Sequence, residues 1–317
     1  MTFRIFGAGV AGLCAATALA ARGARVEVID PGPASRAASW LAGGMLAPWC
    51  EAESAPPEVL ALGRGAVDWW ADHVPGVVRH GTLVVAPPRD RAELARFASR
   101  TTGHEIRHGA ALAALEPDLA DRFDQALFYP GEGHLDPRAA LQALRDGLAR
   151  RGVVFHTAAP TPRAEAVIDC RGFAARDRLP LRAVRGEMLL LRCTEVSLSR
   201  PVRLLHPRTP IYIVPRGQGV YMVGATMVES DDPGPVTARA VMELLAAAYT
   251  LHPAFAEAQL LETGAGLRPA YADNLPRLTG ADGHWQLNGC YRHGFLLAPA
   301  LAEQLATRFA KDPAHAH

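Results

Sequence analysis

Phe3-Arg4-Ile5-Phe6-Gly7-Ala8-Gly9-Val10-Ala11-Gly12, carried on to Arg25-Val26-Glu27-Val28-Ile29-Asp30, is the stretch that decides the fold. Phe3 to Phe6 reads as a short buried strand, Val10 to Ala21 as an alanine-rich helix, and Arg25 to Ile29 as a second strand. A strand, turn, helix and strand this compact form a βαβ crossover. Gly7 permits the tight turn, Gly9 lets backbone approach a pyrophosphate, and Gly12 lets the helix pack close to the sheet. Val10, Ala11 and Gly12 bring free N–H groups and the positive end of the helix dipole to that phosphate. Asp30, with Pro31 behind it, ends the second strand 18 residues after Gly12. It can accept both ribose hydroxyls of an adenosine, and such a fingerprint places its acid about 20 residues on. Ala16, Leu19, Gly23 and Val26 fall where helix–strand packing needs small or apolar groups.

Outward from this unit, Pro31 to Pro48 is a loop-rich stretch of small residues holding Gly43-Gly44. Glu58 to His73 reads as one helix, Val77 to Ala86 as a strand or hairpin, and Arg91 to Arg100 as a helix. Ala126 to Tyr129 reads as a strand before the turn Pro130-Gly131-Glu132-Gly133. Pro137 opens a helix to Arg151 with Asp136 as its N-cap. Val153 to His156 and Ala166 to Asp169 are short strands. From Glu187 the pattern turns β-like, with runs at Met188 to Arg192, Ile211 to Val214 and Val220 to Val223. Val236 to Tyr249 is helical, Trp285 to Asn288 a strand, and Pro299 to Phe309 a closing helix. The βα-rich ends around a β-rich middle predict two domains that the chain enters more than once.

The 317 residues suffice for about two domains. At 49% hydrophobic and 21% charged, the composition is that of an ordinary soluble globular protein. A net charge of +1 with mixed signs gives no nucleic-acid footprint. The five cysteines form no CxxC pair and are odd in number, which points to a reducing, cytoplasmic setting. No charged n-region precedes the first strand, so no signal peptide is expected, and no apolar run is long enough to span a bilayer. His104, His108, His134 and His206 lack metal-ligand spacing, and no metal is expected. Ala314-His315-Ala316-His317 is expected to be a frayed tail.

No second GxGxxG follows the first; Gly264 and Gly266 lead into Leu267-Arg268-Pro269 instead. A flavoprotein that needed a nicotinamide cofactor would carry a second such unit. The unit is therefore expected to hold FAD that is reduced directly by the substrate.

Six segments carry a resemblance. They are the N-terminal fingerprint, Ala42-Gly43-Gly44-Met45-Leu46, Tyr212-Ile213-Val214-Pro215-Arg216, and Gly224-Ala225-Thr226-Met227. Gly266-Leu267-Arg268-Pro269 continues to Asp273 and Pro276, and Gly289-Cys290-Tyr291-Arg292-His293-Gly294 continues to Leu296-Leu297-Ala298-Pro299. In this order, over nearly the whole chain, they resemble the FAD-dependent D-amino-acid oxidase superfamily, most closely the glycine oxidases of thiamine biosynthesis. The resemblance implies an α/β protein with a Rossmann-like FAD-binding domain and a second, mixed or antiparallel-sheet substrate domain. The expected division is 1–76, 131–180 and 264–317 for FAD, and 77–130 and 181–263 for substrate. The implied reaction oxidises the amine of a small amino acid (glycine, sarcosine or a small D-amino acid) to an imine. The imine hydrolyses to a 2-oxo acid, and oxygen yields hydrogen peroxide.

The resemblance also implies roles. Arg268 takes the substrate carboxylate, for which a planar guanidinium fork is suited. Tyr212 is the second carboxylate ligand, or else a core tyrosine on a strand. Arg292 touches the substrate through its carbonyl or side chain. Met227 lines a small pocket or simply fills core. Gly43, Gly44 and Met45 pass backbone close to the flavin. Ser39 reaches a phosphate or ribitol oxygen, or caps a turn. The loop through Arg292, His293, Gly294, Phe295 and Leu296 approaches the flavin pyrimidine edge. FAD is expected to be non-covalent, because the flavin-linked cysteine of the sarcosine oxidase branch has no counterpart near Arg268. No general base stands out, and a substrate bound with a neutral amine needs none.

The chain departs from the resemblance in three places. His293 stands where glycine oxidases commonly have asparagine, Thr157 to Glu165 is shorter than in relatives, and Cys170-Arg171 replaces small residues before Gly172. Other readings are a flavin dehydrogenase that passes electrons to a quinone or protein, a tRNA-modification oxidoreductase, and a non-catalytic flavin-binding subunit. Expected partners are a small amino acid and oxygen or another acceptor, with no nucleic acid and no membrane; homo-oligomers are compatible with the reading.

Overall fold

A computed structural model describes residues 2–32, 37–160 and 164–311. The tail Ala314 to His317, and 161–163 of the short Thr157 to Glu165 stretch, lie outside the described residues.

The chain opens with β1 (Thr2–Phe6), α1 (Val10–Ala20), β2 (Arg25–Ile29), β3 (Met45–Leu46), α2 (Pro48–Glu51), α3 (Pro57–Gly63) and α4 (Ala66–His73). It continues with β4 (Thr82–Val85), α5 (Arg91–Arg100), β5 (Glu105–His108), α6 (Gly109–Leu115), β6 (Gln125–Tyr129) and β7 (Gly133–His134). Next come α7 (Pro137–Arg150), β8 (Val154–His156), β9 (Ala166–Asp169), β10 (Arg182–Arg192), β11 (Val202–Leu204), β12 (Ile211–Gly217) and β13 (Val220–Gly224). The last elements are β14 (Val228–Glu229), α8 (Ala238–Leu251), β15 (Gln259–Ala270), β16 (Arg277–Ala281), β17 (His284–Asn288) and α9 (Gly294–Lys311).

Six strands form a sheet in the order β16-β17-β9-β1-β2-β8, parallel except for β16. Phe6 pairs with both Ile29 and Asp169, so the carboxyl ends of β1, β2 and β9 lie along one edge. That edge is where an open α/β sheet binds ligands. The second sheet is mixed: β14-β10-β13-β12-β11-β4-β6-β5, with β15 on the other side of β10. Only its β11–β4 pair is parallel. The α/β reading with a second mixed sheet is thus the observed architecture. The expected boundary at 264 falls inside β15, which pairs with β10 from Arg192↔Gln259 to Arg182↔Ala270.

Helix α1 is apolar on all sides, and Leu13, Cys14, Ala15, Ala16 and Ala18 are buried between the first sheet, α7 and α9. A helix without a polar face belongs in a core. A second core lies between the second sheet and α8, around Leu189, Leu191, Ile213, Val223 and Leu244.

Two helices differ from expectation. The run Glu58 to His73 is two helices, broken at Arg64 and Gly65. Gly63 is needed there because Leu296 Cγ lies 2.7 Å from where its Cβ would stand. The closing helix starts at Gly294, five residues before Pro299, so the proline sits inside it. A proline leaves the carbonyl four residues earlier without its helical donor. Here the Trp70 indole N–H donates to that carbonyl, Phe295 O, at 2.7 Å. No helix among the described residues is long and apolar enough to cross a membrane.

Candidate active site

The turn from β1 into α1 is held by close contact. Gly7 has φ +98°, and a Cβ there would meet Cys170 O at 2.6 Å. A Cβ on Gly12 would lie 1.9 Å from Gly7 O, and the Gly7 N–H donates to Ile29 O at 2.8 Å. At Gly9 a Cβ would meet only Ser39 Oγ, at 3.3 Å, so this glycine is not demanded by the chain's own packing. Helix α1 has no side-chain cap; Val10 N–H donates to Ser39 Oγ at 3.1 Å. Asp30 accepts from Ala8 N–H at 3.0 Å and Gly32 N–H at 3.2 Å, which leaves two of a carboxylate's four acceptor directions for hydroxyls. Pro31 is exposed beside it. Gly294, the first residue of α9, sits so close to Val10 that a Cβ would meet Val10 Cγ1 at 3.0 Å. Two helix N-termini therefore converge at the carboxyl edge of the parallel sheet, and both favour negative charge there. A helix start whose N-cap is a glycine with no side chain, a glycine open on its outer side and an acid with spare acceptors fit a dinucleotide. The Phe295 and Leu296 side chains face the core, Phe295 stacked on Trp70, so only their backbone is available to a ligand.

The Gly43-Gly44-Met45 segment is anchored by Arg216, to which no role was assigned from sequence. Its guanidinium donates to Leu135 O at 2.9 Å, Ala42 O at 3.1 Å and Gly43 O at 3.0 Å. Burial pulls Arg216 down to about 10, with Asp136 opposing. Gly44 has φ +72°, and a Cβ there would fall 2.2 Å from Leu135 O. Met45 pairs with His134 across β3 and β7.

Tyr212 on β12 packs over this segment; a Cβ on Gly43 would lie 2.6 Å from its ring. Arg268 on β15 lies beside Tyr212, close enough for the two groups to act on each other electrostatically. Its guanidinium covers Gly186 on β10, where a Cβ would be 2.2 Å away. An isolated glycine within a strand marks such an approach, and this signal in the sequence was available. Arg268 Nη1 donates to Thr226 O at 3.0 Å. Thr226 is itself fixed, its hydroxyl accepting from Glu187 N–H at 2.9 Å and donating to Glu187 Oε2 at 3.1 Å. Among the described residues no carboxylate pairs with Arg268. Burial lowers this guanidinium, with Tyr212 and Tyr291 opposing.

Arg292 is brought to the same place but is bound otherwise. It forms an ion pair with Glu51 Oε2 at 2.7 Å and donates to Ser54 Oγ at 3.1 Å and Met227 Sδ at 3.5 Å. Met227 is exposed and lies at the mouth of the site rather than in core. His293 is buried, and its Nε2 lies 2.9 Å from Glu51 Oε2 and 3.1 Å from Arg292 Nε, between the two partners of the ion pair. Glu51 and Arg203, 3.4 Å apart, were not foreseen. Burial pushes the Glu51 carboxyl up, but Arg292, the His293 hydrogen bond and Arg203 outweigh it and hold it well below the ordinary carboxylate value.

Helix α2, which carries Glu51, is pinned from below. The buried Glu132 accepts from Cys50 N–H at 2.8 Å. Burial pushes Glu132 up to about 7, against the Cys50 hydrogen bond. The folded chain therefore holds this proton more tightly than the unfolded chain does. Its contribution to stability is complete below pH 4.5 and is lost as pH rises through 7. Glu132→Gln keeps the acceptor for Cys50 and removes the titration. Its stability relative to wild type should rise between pH 5 and 8 by up to roughly 3 kcal/mol. Denaturant melts at both pH values check this, and parallel pH profiles would refute it.

The family model described as FAD dependent oxidoreductase (DAO) matches residues 4–308. A Rhizobium etli protein, provisionally named thiamine biosynthesis oxidoreductase ThiO, is 59% identical over 98% of this chain and 97% of its own. The glycine oxidase of Pseudomonas aeruginosa is 30% identical over 95% of this chain and 93% of its own. The crystal structure of glycine oxidase from Geobacillus kaustophilus superposes with a TM-score of 0.81 at 25% identity, covering 96% of this chain and 94% of that one. That of iminodiacetate oxidase from Chelativorans sp. gives 0.83 at 26% identity, covering 98% and 96%.

Proposed function

We propose, from the premise that this chain belongs to the FAD-dependent oxidoreductase family, that it oxidises the CH–N bond of a small amino acid, as a glycine oxidase serving thiazole formation in thiamine biosynthesis. The carrying observation is Arg268: a half-buried guanidinium beside Tyr212, hydrogen-bonded to Thr226 O and without a carboxylate partner among the described residues. Such a group is costly to bury alone and suits an anionic ligand. For glycine the overall change is glycine, water and oxygen to glyoxylate, ammonia and hydrogen peroxide.

The cofactor is FAD: Gly7, Gly9, Val10, Ala11, Gly12, Asp30 and Ser39 would hold its dinucleotide half, and the Gly43 to Met45 and Arg292 to Leu296 backbone would hold its flavin half. When bound it supplies the two-electron acceptor for the CH–N bond. Arg268 and Tyr212 take the substrate carboxylate, and Met227 borders the entrance. Burial raises the Tyr212 hydroxyl above its ordinary value, so it stays a donor through neutral and mildly alkaline pH. With Glu51 already paired, a neutral substrate amine is the form that reacts. The cofactor unit takes 1–76, 131–180 and the chain after Ala270, and the substrate unit the rest, which moves the last boundary to the end of β15. Five buried free cysteines support a reducing, cytoplasmic setting, and homo-oligomers remain compatible.

The test is anaerobic. Purified protein should show a flavin spectrum that bleaches with glycine, sarcosine or D-alanine and yields peroxide when air returns. No bleaching with any of them overturns the proposal, and bleaching without peroxide makes the enzyme a dehydrogenase. Tyr212→Phe should raise KM about tenfold with kcat nearly unchanged, the loss of one hydrogen bond to a charged group. Steady-state kinetics decide it, and an unchanged KM would remove Tyr212 from the carboxylate site.

A further inference from the structure

Two arginines reach the candidate substrate site, and they differ in one respect. Arg268 has no carboxylate partner among the described residues, whereas Arg292 is paired with Glu51 at 2.7 Å. Glu51 is no flexible surface acid. It ends the short helix α2, whose Cys50 N–H is fixed by Glu132, and its carboxylate is held from three sides by Arg292, His293 and Arg203. The buried His293 ring sets its Nε2 against both Glu51 Oε2, at 2.9 Å, and Arg292 Nε, at 3.1 Å, while its Nδ1 has no partner among the described residues. Glu51 also lies close enough to Tyr212 and Arg292 to act on both electrostatically.

We propose that Glu51 is a specificity-determining residue that occupies the Arg292 guanidinium and so limits the site to substrates with a single carboxylate. This rests on the amino-acid reading above, in which Arg268 and Tyr212 take that carboxylate. A second carboxylate on the substrate meets Glu51 instead of a free guanidinium and is repelled. His293 is a positioning residue: it fixes the Glu51 rotamer against Arg292. Without the Glu51 charge, Arg268 and Arg292 form a two-cation site matched to a dicarboxylate, because a guanidinium released from one carboxylate binds another in the same manner.

The experiment uses the FAD-loaded protein and inert anions, so it does not depend on turnover. Acetate, malonate and succinate are titrated calorimetrically at low chloride into wild type, Glu51→Gln, Glu51→Asp and the Glu51→Gln, Arg292→Leu double variant. Wild type should bind acetate at least as tightly as either dicarboxylate. Glu51→Gln should shift the ratio of dicarboxylate to acetate affinity by about tenfold or more toward the dicarboxylate, a difference of roughly 1.4 kcal/mol. Glu51→Asp should stay near the wild-type ratio, and the double variant should lose the gain. In turnover, the same shift should appear as kcat/KM for iminodiacetate relative to glycine. A wild-type ratio in Glu51→Gln, or a gain that survives loss of Arg292, overturns the proposal. If Glu51→Gln cannot hold FAD, Glu51→Ser is read in the same way, and failure of both makes Glu51 structural and also overturns it. Absence of bleaching in wild type would instead strike the proposed reaction and leave these binding ratios readable.

Discussion

Arg268→Ala is expected to lower kcat/KM for the amino-acid substrate by roughly 10²–10³-fold while the protein still purifies yellow. The loss should be mostly in KM, because a carboxylate anchor acts on ground state and transition state alike. FAD should stay, since Arg268 lies on β15 beside Tyr212 and Thr226, away from the Gly7 turn and Asp30. Stability should not fall and should even rise in the absence of substrate. The guanidinium lies over bare Gly186 with one carbonyl partner, Thr226 O, so the folded chain carries a partly desolvated charge with no carboxylate partner among the described residues. Arg268→Lys separates charge from geometry: it keeps the cation and loses the fork, and should recover only part of the activity. The checks are steady-state kinetics, flavin content by absorbance, and thermal melts with and without acetate. A kcat/KM within fivefold of wild type, or a melting temperature well below it, would place Arg268 among structural arginines.

Much of this site is legible in the chain because its parts are backbone requirements written in glycine. Gly7, Gly9, Gly12 and Asp30 sit at fixed offsets within one short segment, which suffices to read a dinucleotide; the narrowing to FAD needs the rest of the chain. Strand β15 is harder to see. Thr263-Gly264-Ala265-Gly266 has poor strand propensity, yet it forms one because β10 lies beside it and Leu41 leaves no room for larger side chains: a Cβ on Gly264 would lie 2.6 Å from it. The start of α9 is hidden for a similar reason. Pro299 reads as a helix opener, and only the Trp70 indole, 225 residues away in sequence from Phe295, shows how the helix passes through it. Glu51 is the clearest case. Nothing within Trp49-Cys50-Glu51 distinguishes it from a surface acid; its meaning comes from Arg292 and His293, which lie more than 240 positions downstream. Local patterns carry the cofactor, whereas the charges that shape the substrate site depend on long-range contacts.

Gly12→Ala should be the most damaging single methyl in the chain. Its Cβ would stand 1.9 Å from Gly7 O, and that carbonyl cannot swing aside. Gly7 is fixed at φ +98°, its N–H is bonded to Ile29 O, and Cys170 O closes the other side. Helix α1 must move instead, and it is packed on every face. Overpacking of this kind costs about 1–3 kcal/mol and sometimes more. The same displacement takes the first N–H groups of α1 away from the phosphate position, so FAD affinity should fall by about 10²-fold as well, one lost charge-assisted contact or two. Two companion variants separate the causes. Gly23→Ala also carries a positive φ, +79°, but its Cβ meets nothing within 4 Å, so it should lose only a modest amount of stability and keep FAD. Gly9→Ala meets only Ser39 Oγ at 3.3 Å, so the apoprotein should fold nearly as wild type yet bind FAD poorly, because the methyl projects where the pyrophosphate must approach. Apoprotein melting temperatures and FAD titrations on the three variants give the pattern: both quantities lost, stability alone, and affinity alone. If Gly9→Ala bound FAD as tightly as wild type, the β1–α1 turn would not be the phosphate cradle, and the cofactor would have to be held elsewhere on the sheet edge.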